Sequence, residues 1–89
     1  MKIWKSEMLA ISRAGHDKDE IYVVLEEADG YCFLCDGKRK LLTSPKKKKQ
    51  IHLQRIKNIP DEIRLMMAEI KDDADVRRIL KEYRKSFQN

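Results

Sequence analysis

The chain has 89 residues, 42% of them apolar and 39% charged, with a formal net charge of +5; that suffices for one small domain, or a smaller one plus an appendage, with a modest core. No apolar run approaches the roughly 18–20 residues of a membrane span, and residues 1–12 lack the apolar core of a signal peptide. The expected location is therefore the cytoplasm, where Cys32 and Cys35 stay reduced.

In chain order, Met8 to Ser12 is a short apolar run. It ends in Arg13-Ala14-Gly15-His16-Asp17-Lys18-Asp19, where Gly supplies positive φ and Asp bonds the backbone, so a turn is expected. Ile21 to Leu25 is β-branched and aromatic, which predicts a strand. Ala28-Asp29-Gly30 turns the chain, and Tyr31 to Cys35 is the expected hairpin partner. Asp36-Gly37 is a further hairpin signal, Leu41-Leu42-Thr43 is read as a short strand ended by Ser44-Pro45, and Ile51 to Ile56 as the last strand. Lys46 to Lys49 then fall in an exposed loop. Five short strands with tight turns suggest a small barrel.

The pattern changes at Pro60, a favoured residue for a first helical turn, followed by Asp61 and Glu62 where a helix N-terminus prefers negative charge. Ile59, Ile63, Met66, Met67 and Ile70 recur at helical spacing. Asp72-Asp73 interrupts and caps a second helix with the apolar face Val76, Ile79, Leu80, Tyr83 and Phe87. Asp73–Arg77 and Arg78–Glu82 are candidate i,i+4 pairs. The fold expected is mainly β with C-terminal α. Residues 1–58 form the barrel, and 59–89 form one broken or two short helices that bury their apolar stripes against the barrel or in a homodimer.

Charge is unevenly placed. Between residues 38 and 57 the basic residues are Lys38, Arg39, Lys40, Lys46, Lys47, Lys48, Lys49, Arg55 and Lys57, and there is no Asp or Glu. Residues 1–58 carry the whole excess, whereas 59–89 hold as many acids as bases. So localised a field attracts polyanions, of which nucleic acid is the commonest. A solvated, solubilising face is the plainer explanation of lysines in general, but these have no counter-charge among them.

Several of these segments together resemble KOW-domain RNA-binding proteins. The segments are Ser12-Arg13-Ala14-Gly15-His16-Asp17-Lys18, the strand from Ile21, Asp36-Gly37-Lys38-Arg39-Lys40, Pro45-Lys46-Lys47-Lys48-Lys49 and His52-Leu53. They look most like bacterial relatives of a KOW-class large-subunit ribosomal protein of archaea and eukaryotes, over roughly residues 7–57. The resemblance implies an SH3-like β-barrel with Gly15 as the motif glycine, and binding of RNA, ribosomal by that likeness. The family pattern has glycine before the first strand and after the Asp-Lys of the loop; this chain has Glu7 and Asp19 there.

Arg13, His16, Lys18, Lys38, Arg39, Lys40, Lys46, Lys47, Lys48, Lys49 and Arg55 are the candidate RNA-contacting residues. Trp4, Tyr22, Tyr31 and Phe33 could stack on bases, though a small barrel needs most of its aromatics inside. Cys32-Phe33-Leu34-Cys35 has zinc-ligand spacing, with His16 and His52 as possible completions, but a strand sends positions 32 and 35 to opposite sides. No metal or cofactor is expected. With no phosphate-cradling glycine loop, nucleophile motif or paired carboxylates, no enzyme is expected either. The competing function is a protein-interaction module that docks or dimerises through its helices.

Overall fold

The computed structural model describes Trp4 and residues 7–86. Its elements in order are β1 (Met8–Ser12), β2 (Ile21–Ala28), β3 (Tyr31–Cys35), β4 (Lys46–Lys49), a 3₁₀ turn (Gln50–His52), β5 (Leu53–Arg55), α1 (Asp61–Ala68) and α2 (Asp73–Ser86). The strands form one antiparallel sheet in the order β4-β3-β2-β1-β5. The expectation of a β-rich fold with C-terminal helices holds. The sheet, however, is not closed: β4 and β5 are its two edges.

Those edges are consecutive in the chain, and this shapes the sheet. A flat sheet would hold them about 19 Å apart at about 4.8 Å per strand. The three-residue 3₁₀ turn advances only about 6 Å, at about 2 Å per residue. The sheet must therefore curl until its edges approach. A register shift between Val24 and Glu26 supplies a bulge in β2, which adds twist where the curl needs it. The β2–β3 connection is a two-residue turn, with Asp29 at φ 48° and Gly30 at φ 83°; two successive positive φ values match the right-handed twist of a hairpin.

Two strand assignments are corrected. Leu41 to Thr43 is not a strand: Leu41 and Ser44 make a single bridge across a tight turn. The fourth strand is the lysine run itself, paired with β3 from Tyr31↔Lys49 to Leu34↔Lys46. Low strand propensity gives way here because β3 offers an unpaired edge and alternate lysines find a buried partner. The last strand is shorter than Ile51 to Ile56, since Ile51 falls in the 3₁₀ turn and is 82% exposed.

The sheet has a core on each face. Inside the curl, Trp4, Met8, Ala10, Tyr22, Val24, Cys32 and Leu34 pack with Leu53. On the outer face, Leu9, Val23 and Cys35 pack against Ile59, Ile63, Met67, Val76, Ile79, Leu80 and Tyr83. The helical stripes are thus buried on the sheet, with Met66 and Ile70 partly so; Phe87 lies outside the described residues. Cys32 and Cys35 enter opposite cores, and burial pushes their thiols up to about 11 and about 12.

Pro60 caps α1 from just outside it, its carbonyl accepting from the Ile63 and Arg64 amides. Asp72 and Asp75 form a reciprocal cap at the start of α2. The Asp75 amide donates to Asp72 Oδ1, and the Lys71 and Asp72 amides donate to Asp75 Oδ2. The i,i+4 pairs read from the sequence do not form. Arg78 pairs with Asp75 and Lys85 with Glu82, while Asp73 and Arg77 turn to the sheet's loops.

Glu7 and Asp19, the two positions where the KOW pattern has glycine, lie at φ 61° and 76°. This left-handed region is costly for a residue with a β-carbon. Asp19 is exposed, and its 3.4 Å pair with Arg13 is open to solvent. Asp19→Gly is therefore expected to raise stability by about 0.5–1 kcal/mol in urea unfolding, strain relief outweighing the surface pair. A loss of stability would show that the Asp19 side chain holds the turn.

Candidate nucleic-acid interface

The β1–β2 turn is built on Asp17. Its Oδ1 accepts from Ser12 Oγ at 2.9 Å and Lys48 Nζ at 3.0 Å. Its Oδ2 accepts from Tyr22 Oη at 2.8 Å and faces Lys46 Nζ at 3.0 Å. Lys48 also donates to the Ala14 carbonyl at 2.9 Å. Burial alone would raise the Asp17 pKa, but donation from Lys48, Lys46, Tyr22 and Ser12 outweighs it and holds the carboxyl well below the usual range. The Tyr22 hydroxyl is pushed up, first by burial and then by its bond to this carboxylate.

This overturns the sequence reading of the lysine run as an exposed loop. On strand β4 the side chains alternate. Lys46 and Lys48 point into the curl on the side of Leu34 and Cys32, where their side chains are only 28% and 11% exposed and both pair with the single carboxylate of Asp17. They are structural cations. Lys47 and Lys49 face outward with Phe33 and Tyr31, and Lys47 Nζ sits 4.5 Å from the Tyr31 ring centre. On an edge strand, outward lysines also discourage pairing with another chain.

The second basic segment is presented differently. Asp36 Oδ1 accepts from three successive amides, Lys38 at 2.9 Å, Arg39 at 3.0 Å and Lys40 at 2.9 Å. These bonds outweigh burial and lower the Asp36 pKa. The three bonds engage backbone amides only, and the Lys38 and Arg39 side chains are exposed while Lys40 is half-buried. From the other side, Arg77 Nη1 donates to the Gly37 carbonyl at 2.6 Å, and Asp73 Oδ1 accepts from the Leu42 amide at 2.9 Å. Gly37 has φ 78°, and a β-carbon there would lie 2.5 Å from the Asp73 carbonyl oxygen and 2.8 Å from Arg77 Cγ. Helix α2 thus fixes the loop that carries Lys38, Arg39 and Lys40.

These pieces adjoin. His16 from the first turn, Lys38, Arg39 and Lys40 from the second, and Lys46 line one cleft together with Tyr22 and the acids Asp17, Glu20 and Asp36. Lys18 is exposed in the same turn as His16. Among the described residues, Lys38, Arg39 and Lys40 form no ion pair. Two candidates lie elsewhere. Arg13 donates Nε to Gln54 Oε1 at 2.7 Å, beside β5. Arg55 lies on β5, at the opposite edge of the sheet from β4, in a hollow with Met8, Lys57 and Arg64. Tyr22 and Trp4 are core residues, so of the candidate stacking aromatics only Tyr31 and Phe33 keep partial exposure.

Asp17, Asp36 and Asp73 were missed as organisers of this surface. The Asp-Gly at 36–37 signalled a turn, but nothing local signals that Asp17 reaches β4 or that Asp73 reaches Leu42. A scan against protein-family models finds no match for the chain, and neither does a search of curated proteins.

Two outcomes follow. Asp17→Asn leaves Lys48 buried without a counter-charge and is expected to lower stability by about 2–4 kcal/mol in urea unfolding at neutral pH. Because the folded pKa of Asp17 lies below its unfolded value of about 3.9, its contribution is full above that value and fades as pH falls through and below it. The variant should lose that acid-side decline, and an identical pH profile would show that Asp17 is not its source. Gly37→Ala forces both a left-handed β-carbon and a collision with α2, and should lower the melting temperature by several degrees, for a loss of about 2–3 kcal/mol.

Proposed function

We propose that this chain binds RNA through its phosphates, as an SH3-like domain of KOW type acting on or beside the ribosome. The observation that carries the reading is the loop of Lys38, Arg39 and Lys40. Three adjacent cations are held on a backbone fixed by Asp36 and by α2, with no counter-ion among the described residues. A loop whose backbone is already fixed loses little further backbone entropy on meeting a phosphate row, and its cations release counterions when they do so.

Two further observations support the KOW reading. The family pattern has glycine where this chain has Glu7 and Asp19, and both adopt the backbone conformation that glycine favours. The strand order, with β5 returning to β1 after a single 3₁₀ turn, gives the curl from which a small barrel is made. Mechanistically the surface recognises phosphate position and shape. Lys38, Arg39 and Lys40 carry the contact, with His16 and Lys18 adjacent. Lys46 and Lys48 hold the scaffold.

The reading as a protein-docking module has less to rest on. The helical stripes already cover the sheet, and the large apolar side chains left exposed, Ile51 and Leu65, stand singly on different elements.

The test is the salt dependence of RNA affinity. Lys38→Glu combined with Arg39→Glu should weaken binding at least tenfold and reduce the slope of log K against log salt by about two, one unit per lost phosphate contact. Both side chains are exposed, so melting should be unchanged. Wild-type protein that binds no RNA at low salt would overturn the proposal.

A further inference from the structure

Residues 59–89 carry seven basic and seven acidic residues, and their net charge of zero hides how they are sorted. In α2 the acids Asp73 and Asp75 stand in the first turn. From residue 77 onward the helix has five cations, Arg77, Arg78, Lys81, Arg84 and Lys85, against one acid, Glu82. Arg77, Lys81, Arg84 and Lys85 are spaced i, i+4, i+7 and i+8, which places them along one face.

That face does not look into open solvent on its own. Arg77, Lys81, Arg84 and Lys85 line a cleft together with Lys38, the acids Glu20 and Asp36, and Leu80. The same Lys38 lines the neighbouring cleft with His16, Arg39 and Lys40. Lys38 therefore lies in both clefts, alongside Glu20 and Asp36, and joins the cations of the β3–β4 loop to those of α2. The junction is rigid, because Arg77 bonds the Gly37 carbonyl and Asp73 bonds the Leu42 amide. Lys85 is 3.7 Å from Glu82, whereas Lys81 and Arg84 form no ion pair among the described residues. Two carboxylates face this cleft, Glu20 and Asp36. Asp36 is engaged by three loop amides, and Glu20 is exposed.

We infer that α2 supplies the second wall of the RNA-binding surface, with Lys81 and Arg84 contacting phosphates of the same RNA backbone that meets Lys38 across the cleft. This rests on the proposed RNA-binding function and names the part of the site that nothing in the basic loop reveals. Glu20, an exposed acid in the same cleft, opposes phosphate binding there. Along the helix axis Lys81 and Arg84 lie about 6 Å and about 10 Å beyond Arg77, so one rigid element offers successive cations to successive phosphates.

The test uses a fluorescein-labelled RNA hairpin and the full chain, with affinity measured across a salt series. Lys81→Glu with Arg84→Glu should weaken binding at least tenfold and lower the salt slope by about two, with melting unchanged. Lys81→Gln with Arg84→Gln should give the same loss of slope without charge reversal. Arg64→Glu with Lys71→Glu, an equal change of net charge on α1 and beyond it, should leave the slope unaltered. Glu20→Gln should tighten binding. If the α2 variants bind as wild type while Lys38→Glu/Arg39→Glu is weakened, the contact is confined to the loop and the inference fails, with RNA binding intact. If the α1 control loses as much slope as the α2 variants, the effect is overall charge and the inference again fails. If the wild-type chain does not bind the hairpin at low salt, the RNA reading itself falls.

Discussion

Four donors converge on the two oxygens of Asp17, and the rest of the structure depends on that convergence. The sheet is open, so no backbone ladder ties β4 to the far side of the curl. Lys46 and Lys48 supply the tie instead, reaching from the β4 edge to the β1–β2 turn. Ser12 and Tyr22 fix the carboxylate from β1 and β2. A carboxylate with so little exposure is stable only if its charge is matched and its lone pairs are used, and both conditions are met here. The same bonds set the turn that presents His16 and Lys18.

A second group of carboxylates acts on the loop that follows β3. Asp36 gathers its amides, and Asp73 with Arg77 clasps it to α2. In each case an acid works on the backbone or on inward-facing lysines, and the remaining lysines and arginines are left for solvent or a ligand. The positive field of the protein is thus a remainder. It is what stays uncompensated after Asp17 and Asp36 have each organised a basic segment. The helices, whose apolar stripes complete the outer core, are also what hold the basic loop in place. Covering the core and positioning the loop are therefore done by the same element.

The sequence by itself determined the elements that local chemistry specifies. β1, β2, β3 and the Asp29-Gly30 turn were legible from apolar, β-branched and aromatic runs bounded by turn residues, and the C-terminal helical segment, as one broken helix or two, from spacing and capping acids. The opposite orientation of Cys32 and Cys35 followed from strand periodicity alone. The concentration of charge between residues 38 and 57 was also plain. Tertiary structure decided what each charge does. Four consecutive lysines look like a solvated loop because no local property of the run favours a strand. They form β4 because β3 has a free edge and Asp17, some thirty residues earlier, receives every second side chain. Leu41-Leu42 reads as a strand for the converse reason: its propensity is right, but no neighbouring strand is there to pair with it. The acids of α2 likewise were assigned partners one turn away, and two of the expected residues instead bind loops more than thirty positions distant. Spacing along a chain fixes which side chains share a face. Which of them are neutralised depends on contacts between elements, and those exist only once the sheet has curled and the helices have packed on it.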